Sequence, residues 1–384
     1  MDIEEYLPKK EWGRVKSFAK KHETPFLVIL LDVIKRKYLE LQKNMSFAEI
    51  YYAVKANPAS EVITMLDGLG SSFDVASVYE LRKLLSLGVA PERLSCGNTI
   101  KKLKDIEEFY RSGVRLFVTD SETDVRNIAA AAPGSKVFVR ILTSGFLTAS
   151  WPLSRKFGCH SDMAFELLLL ANKLGLQPYG VSFHVGSQQN DISAWNTAID
   201  QVKQIFNWLK DEGINLKCIN MGGGLPGNYI EKCQDVELYA SEITKCLKED
   251  FKGEIPNVII EPGRYLAAES GVIVSEVINV ATKSKTSLER WVFTDIGKFG
   301  GLMETLDESI KYPIYTEKKE NPEKVIIAGP TCDSMDTIYE EHQYEMPSDL
   351  EPGDRVYWLS TGAYTASYSA VEFNGFPPLK TFCI

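Results

Sequence analysis

A chain of 384 residues, 44% hydrophobic and 25% charged, is long enough for two cored domains and excludes a single small module. No stretch approaches the ~20 apolar residues of a membrane span, and a net charge of -9 argues against a nucleic-acid surface while leaving room for a local anion pocket. The acidic start MDIEEYLPKKEW lacks the apolar core of an export signal, so a cytoplasmic location is expected, and seven scattered cysteines without CxxC spacing read as thiols, not as disulfides or a metal site.

In chain order, TPFLVILL (24–31) is the first predicted strand. From about residue 50 to 265, short β-branched or aromatic runs alternate with stretches of helical period. The predicted strands are IYYAVK (50–55), SSFDVA (71–76), RLSCGN (93–98), RLFVTD (115–120), KVFVRI (136–141), YGVSFHV (179–185), KCINMG (217–222) and NVIIEP (257–262). Eight such units are the arithmetic of a (β/α)8 barrel. Val78–Leu87 sets Leu81, Leu84 and Leu85 on one helical face, and Ala164–Leu174 does the same with Leu167, Leu168 and Leu170. After residue 265 the period becomes that of strands: VIVSEVINVAT (272–282), RWVFTDIG (290–297), KVIIAG (324–329) and DRVYWLS (354–360). The expected organisation is therefore a barrel over 32–266 and a mostly β domain over 267–384 that also takes in 1–31. TEKKENPEK (316–324) reads as a solvated loop.

In such a barrel, chemistry collects where strands end. Lys55 closes the first barrel strand, Asp74, Arg140 and His184 lie near the ends of others, Gly222–Gly224 follows the seventh, and Glu261 and Arg264 follow the eighth. A lysine at the end of an apolar strand is costly to bury as a cation, and a lowered pKa is what an imine-forming amine needs. Consecutive glycines can bare backbone N–H groups to a phosphate, with Arg264 as a fixed cation beside them. Lysine, glycine cradle, arginine and acid together suggest pyridoxal phosphate, whose imine, phosphate and ring nitrogen each need one of these groups.

The motifs YYAVKANP, SSFDVAS, GVSFHVGSQ, NMGGGLPG, EPGRYL, GPTCDSMD and GAYT, in this order, resemble the fold-type III pyridoxal phosphate-dependent decarboxylases of basic amino acids, closest to the ornithine decarboxylases. The resemblance implies an alanine racemase-like (β/α)8 barrel plus a β domain, and a homodimer with active sites at the subunit interface. It implies Lys55 as the cofactor-bearing lysine, Glu261 on the pyridine nitrogen and His184 stacked on the ring. Gly222, Gly223, Gly224, Ser187, Arg264 and Tyr364 would hold the phosphate, with Asp74 and Arg140 near the cofactor. Cys332 would return a proton to the α-carbon, Asp333 would receive the distal ammonium and Phe373 would wall the same pocket. No metal is implied.

Asp333 directly after the cysteine suits a substrate ending in a cationic amine, whereas diaminopimelate decarboxylases typically carry CES there and alanine racemases offer the ring nitrogen an arginine. A second acid is expected within TDIGKFGGLMETLDESIKYP (294–313), at Asp307 or Glu308, with Glu304 one turn earlier. That segment, with the insertion-like WPLSRKFGC (151–159), resembles the bacterial short-chain group acting on ornithine, lysine or both. Ornithine decarboxylation to putrescine is the expected activity, with lysine, diaminopimelate and carboxynorspermidine as alternatives. A silent homologue that binds a partner, as antizyme inhibitors do, is the non-enzyme alternative.

Overall fold

The computed structural model describes residues 2–143, 148–151, 156–286 and 289–384. Of WPLSRKFGC, residues 152–155 lie outside the described residues. The chain's internal contacts divide it into two units. One comprises Lys37–Pro226 and Gln234–Gly263; the other comprises Met1–Arg36, Gly227–Cys233 and Arg264–Ile384.

The strands run in chain order as β1 (Phe26–Ile29), β2 (Ala48–Ala53), β3 (Ser72–Val75), β4 (Leu94–Cys96), β5 (Leu116–Thr119), β6 (Lys136–Arg140), β7 (Ala149–Trp151), β8 (Gln177–Ser182), β9 (Ser187–Gln189), β10 (Cys218–Asn220), β11 (Asn257–Ile260), β12 (Gly271–Thr282), β13 (Arg290–Thr294), β14 (Ile314–Thr316), β15 (Pro322–Ala328), β16 (Thr337–Pro347), β17 (Arg355–Leu359) and β18 (Lys380–Cys383). β2, β3, β4, β5, β6, β8, β10 and β11 close a parallel barrel, each followed by a helix, as the alternating sequence period requires. Local chemistry starts the helices where the period says: Ser77 caps the helix Val78–Ser86 at the Glu80 N–H, and Glu80 reaches back to the Ala76 N–H, one residue before the cap, at 2.7 Å. Tyr51, Val118, Phe138, Cys218 and Ile259 fill the barrel as one cluster.

In the second unit, β14, β17, β12, β13, β15 and β16 lie side by side, and β1 pairs antiparallel with β12, as expected for the upstream strand. Ile3, Val15, Phe26, Val28, Val272, Val274 and Tyr357 form its core with the N-terminal helix. Gly227–Cys233 lies inside the range 32–266 yet groups with this unit, because Asn228 bonds to Glu269 and Ile230 to Lys311. β14, β16 and β18 went unread in the sequence. Of the stretch 316–324 only residues 317–321 form a loop, since Thr316 ends β14 and Pro322–Lys324 opens β15. Among the described residues no helix is long and apolar enough to cross a membrane.

Candidate active site

The barrel unit gathers five charged or titratable side chains at the ends of its strands. Asp74, in β3, is buried, and its Oδ1 accepts from Ser95 Oγ at 3.2 Å. A Cβ at Gly97 would fall 1.9 Å from that oxygen, so glycine there makes room for the carboxylate. Burial raises the Asp74 pKa against the pull of Lys55, Ser95 and Arg140. Glu261, just past β11, is pushed up to about 7 by burial and then by Asp74, while Asn220 opposes the shift by donating to its Oε1 at 2.6 Å. Arg140 ends β6 and is lowered by burial, with Glu261, Asp120 and Asp74 pulling it back. His184 lies two residues beyond β8, and burial, then Arg140 and Lys55, hold it well below its usual pKa. Its Nδ1 accepts from the Gly186 N–H at 3.0 Å, so the neutral ring carries its proton on Nε2.

Lys55 corrects the sequence argument. Ladder pairing of β2 stops at Ala53, whose N–H donates instead to Pro262, and Lys55 stands in the 3-10 turn Val54–Ala56 as an exposed residue. Its amine is not buried, and its charge is felt by the Asp74 and Glu261 carboxylates.

Gly222–Gly224 runs so close to neighbouring strand ends that no side chain fits. A Cβ would stand 2.2 Å from the Phe183 carbonyl at Gly222, 2.9 Å from the Glu261 carbonyl at Gly223 and 2.6 Å from Val185 Cγ2 at Gly224. Asn220 joins this loop to the acid: its Oδ1 accepts from the Gly222 N–H at 2.9 Å while its amide donates to Glu261. It was missed in the sequence, where a single Asn ending KCINMG carries no signal of its own. Ser187 opens β9, which bonds to the glycine loop through Gln189 N–H and the Gly224 carbonyl at 3.0 Å.

In the β-rich unit Arg264 is 3% exposed and Glu304 1%. The pair is bidentate, at 2.7 and 2.6 Å, and Arg264 also donates to Tyr229 Oη at 2.7 Å. The Tyr364 ring centroid lies 4.8 Å from the guanidinium carbon. Burial would lower the Arg264 pKa, but Glu304 and Tyr229 outweigh it and keep the arginine charged. Glu304 is thus already committed, and no longer a candidate for a substrate amine.

Cys332, Asp333 and Phe373 do come together. Cys332 is exposed, and its N–H donates to Asn374 Oδ1 at 2.8 Å, while Phe373 stacks on Phe299 with centroids 4.2 Å apart. Asp333 accepts from the Met335 N–H at 2.9 Å. The organiser of this loop is buried Asp336, which accepts from the Lys298 and Thr331 N–H groups and from Thr331 Oγ1. A Cβ at Gly297 or Gly329 would fall 2.1 or 2.4 Å from its oxygens, so the glycines of TDIG and AGP exist for it. Glu308, expected beside Asp307 at a substrate amine, instead spends both oxygens on the N–H groups of Glu340, Glu341 and His342. Asp307 is exposed and makes no hydrogen bond or ion pair among the described residues.

These residues fit pyridoxal phosphate on structural grounds: a side-chain-free glycine loop suited to a phosphate, an acid with a raised pKa that a cationic ring nitrogen would hold ionised, and an accessible lysine among opposite charges. Over residues 31–268 the chain matches the family model for the pyridoxal binding domain of pyridoxal-dependent decarboxylases. It is 32% identical over 364 residues to a lysine/ornithine decarboxylase of Selenomonas ruminantium, covering 94% of this chain and 90% of that protein. It is also 31% identical over 368 residues to antizyme inhibitor 2 of Xenopus laevis, covering 91% and 79%. A lysine/ornithine decarboxylase of Vibrio vulnificus, solved with cadaverine, matches with a TM-score of 0.88 at 27% identity, over 98% of this chain and 99% of that one.

Proposed function

The chain belongs to the pyridoxal-dependent decarboxylases of basic amino acids, and from that membership we propose that it converts L-ornithine to putrescine and CO2, with L-lysine to cadaverine as a second activity. When bound, pyridoxal phosphate supplies an electron sink for the pair left behind as the α-carboxylate departs. Lys55 provides the amine that anchors the cofactor's aldehyde, and Glu261 keeps the pyridine nitrogen protonated by offering it a carboxylate. Neutral His184 packs on the ring without adding a competing charge. The N–H groups of Gly222–Gly224, with Ser187, Arg264 and Tyr364, receive the phosphate, and Asp74 and Arg140 balance charge around the lysine. Cys332 delivers a proton to the α-carbon.

The observation that carries the substrate reading is the pattern of free and spent acids. Glu304 is occupied by Arg264 and Glu308 by three N–H groups, which leaves Asp307 with Asp333 for a distal ammonium. Diaminopimelate would bring a second carboxylate against these acids, a like-charge cost of several kcal/mol. Lysine differs from ornithine by one methylene, worth only ~1–3 kcal/mol.

The active form in this reading is a homodimer with composite sites, Cys332, Asp333 and Phe373 reaching the lysine of the other copy. Exposed Met335, Val371 and Phe376, on the same loops as these residues, support burial against a second copy. A catalytically silent role is disfavoured by the presence of Lys55, Glu261, Cys332 and Asp333 together.

CO2 release from ornithine, lysine, arginine, diaminopimelate and carboxynorspermidine is the test. Ornithine should give the highest kcat/KM, with lysine next. Diaminopimelate or carboxynorspermidine as the best substrate would refute the specificity, and no turnover of any of them by cofactor-loaded protein would favour the silent role.

A further inference from the structure

Leu306–Ser309 is a tight turn of an unusual composition. Asp307 and Glu308, its two central residues, have φ of 51° and 50°, and the Ser309 N–H closes the turn on the Leu306 carbonyl at 3.1 Å. Paired positive φ values mark a type I′ turn, in which Asn and Gly are favoured because a Cβ is penalised there. Asp tolerates that region better than most residues; Glu has no such local excuse.

The compensation for Glu308 comes from another element. Between β15 and β16 the register jumps from Val325 opposite Tyr344 to Ile327 opposite Tyr339, so Glu340–Gln343 stands opposite Ile326 alone. This bulge turns three successive N–H groups away from the ladder, and the Glu308 carboxylate takes all of them, at 2.7, 2.8 and 2.7 Å. The hydrogen bonds overcome the effect of burial and hold Glu308 below the usual carboxylate range. Tyr339 Oη, one residue before the bulge, donates to the Ile310 carbonyl at 2.7 Å and accepts from the Tyr312 N–H, fastening the chain on the other side of the turn.

We propose that Glu308 is a positioning residue for substrate recognition: anchored in the β16 bulge, it holds the strained turn that presents Asp307 to the distal ammonium. This rests on the reading of Asp307 given above. Charge at Glu308 is consumed by the bulge, so its contribution to specificity passes wholly through the backbone of its neighbour. The bulge and the turn form one device, since losing the carboxylate leaves three N–H groups without their acceptor and a Cβ-bearing turn without its anchor.

The test uses cofactor-loaded Glu308→Ala, Glu308→Gly and Asp307→Asn. Glycine tolerates positive φ, so Glu308→Gly removes the anchor while easing the backbone, and it decides the matter if the alanine variant does not fold. KM and kcat are measured for ornithine and lysine, with the inhibition constant of norvaline, which lacks the distal amine, as the control. Loss of the anchor should raise KM at least about tenfold with kcat within about threefold and norvaline unchanged within about twofold; adding Asp307→Asn should then cost little more, since both act through one contact. A KM raised by Asp307→Asn but not by either Glu308 variant overturns the positioning role while leaving Asp307 in place. An unchanged KM in Asp307→Asn overturns the reading of Asp307, and this inference with it. An equal weakening of norvaline makes Glu308 merely structural and overturns the proposal.

Discussion

Two buried acids of this chain are handled in opposite ways. Glu304 meets a buried arginine in a bidentate pair, and that pairing helps keep the arginine charged against its burial. Glu261 accepts from Asn220 alone among the described residues, and burial, then the neighbouring Asp74 carboxylate, raise its pKa from 4.5 to about 7. Between those values the folded chain, without cofactor, keeps a proton that the unfolded chain has released. The contribution of Glu261 to stability is therefore greatest below 4.5 and declines as the pH rises towards about 7. Cofactor-free Glu261→Gln should accordingly lose less stability than the parent between about pH 5 and about pH 7.5, measured by urea unfolding. Identical pH slopes in the two proteins would assign the effect to other groups. A protonated ring nitrogen supplies the missing cation, which is why an acid so poised suits this cofactor.

At the scale of elements, the chemistry is carried by loops that rigid strands hold at both ends. Gly222–Gly224 can pass under His184 because β8, β10 and β11 end at one level and nothing larger than glycine fits between them. The GPTCD loop is fixed differently, by one buried carboxylate that ties residues 298 and 331 together. Asp336→Ala should release that loop without touching the barrel. Cofactor absorbance should stay at parental occupancy while kcat falls by about tenfold or more, because the proton donor proposed at Cys332, misplaced by ~1 Å, would already cost about a hundredfold. Loss of cofactor in that variant, or unchanged kcat, would contradict this division of labour.

For the whole molecule, the barrel unit holds Lys55, Asp74, His184 and Glu261, and the β-rich unit holds Cys332, Asp333 and Phe373. The homodimer proposed above, with composite sites, makes a definite prediction. Mixing inactive Lys55→Ala with inactive Cys332→Ala protein should restore about a quarter of parental activity, since in that assembly half the dimers would be mixed with one of their two sites intact. No recovery, with subunit exchange shown by mass spectrometry, would put each site within one chain.

Local residue patterns were enough to lay out the barrel and to set several of its candidate site residues at strand ends. Alternation of period 2 and period 3.6 is written in neighbouring residues, and Asp74, Arg140, Gly222–Gly224 and Glu261 stand at or beside strand ends whose positions that alternation sets. These patterns ran the first barrel strand on to Lys55, two residues past its end at Ala53, because a strand's last ladder bond depends on the partner strand rather than on its own residues. Which acids are left unspent, by contrast, depends on contacts made across the fold. Nothing near Glu304 announces Arg264, 40 positions away, and nothing in Leu-Asp-Glu-Ser announces a turn that normally wants Asn or Gly. β16 escaped notice because TIYEEHQYEMP mixes polar and apolar residues, its middle being a bulge that faces a carboxylate instead of a ladder. Local patterns record what a residue costs to expose; they do not record which distant charge or N–H group will satisfy it, and that pairing is what singles out Asp307 among three neighbouring acids.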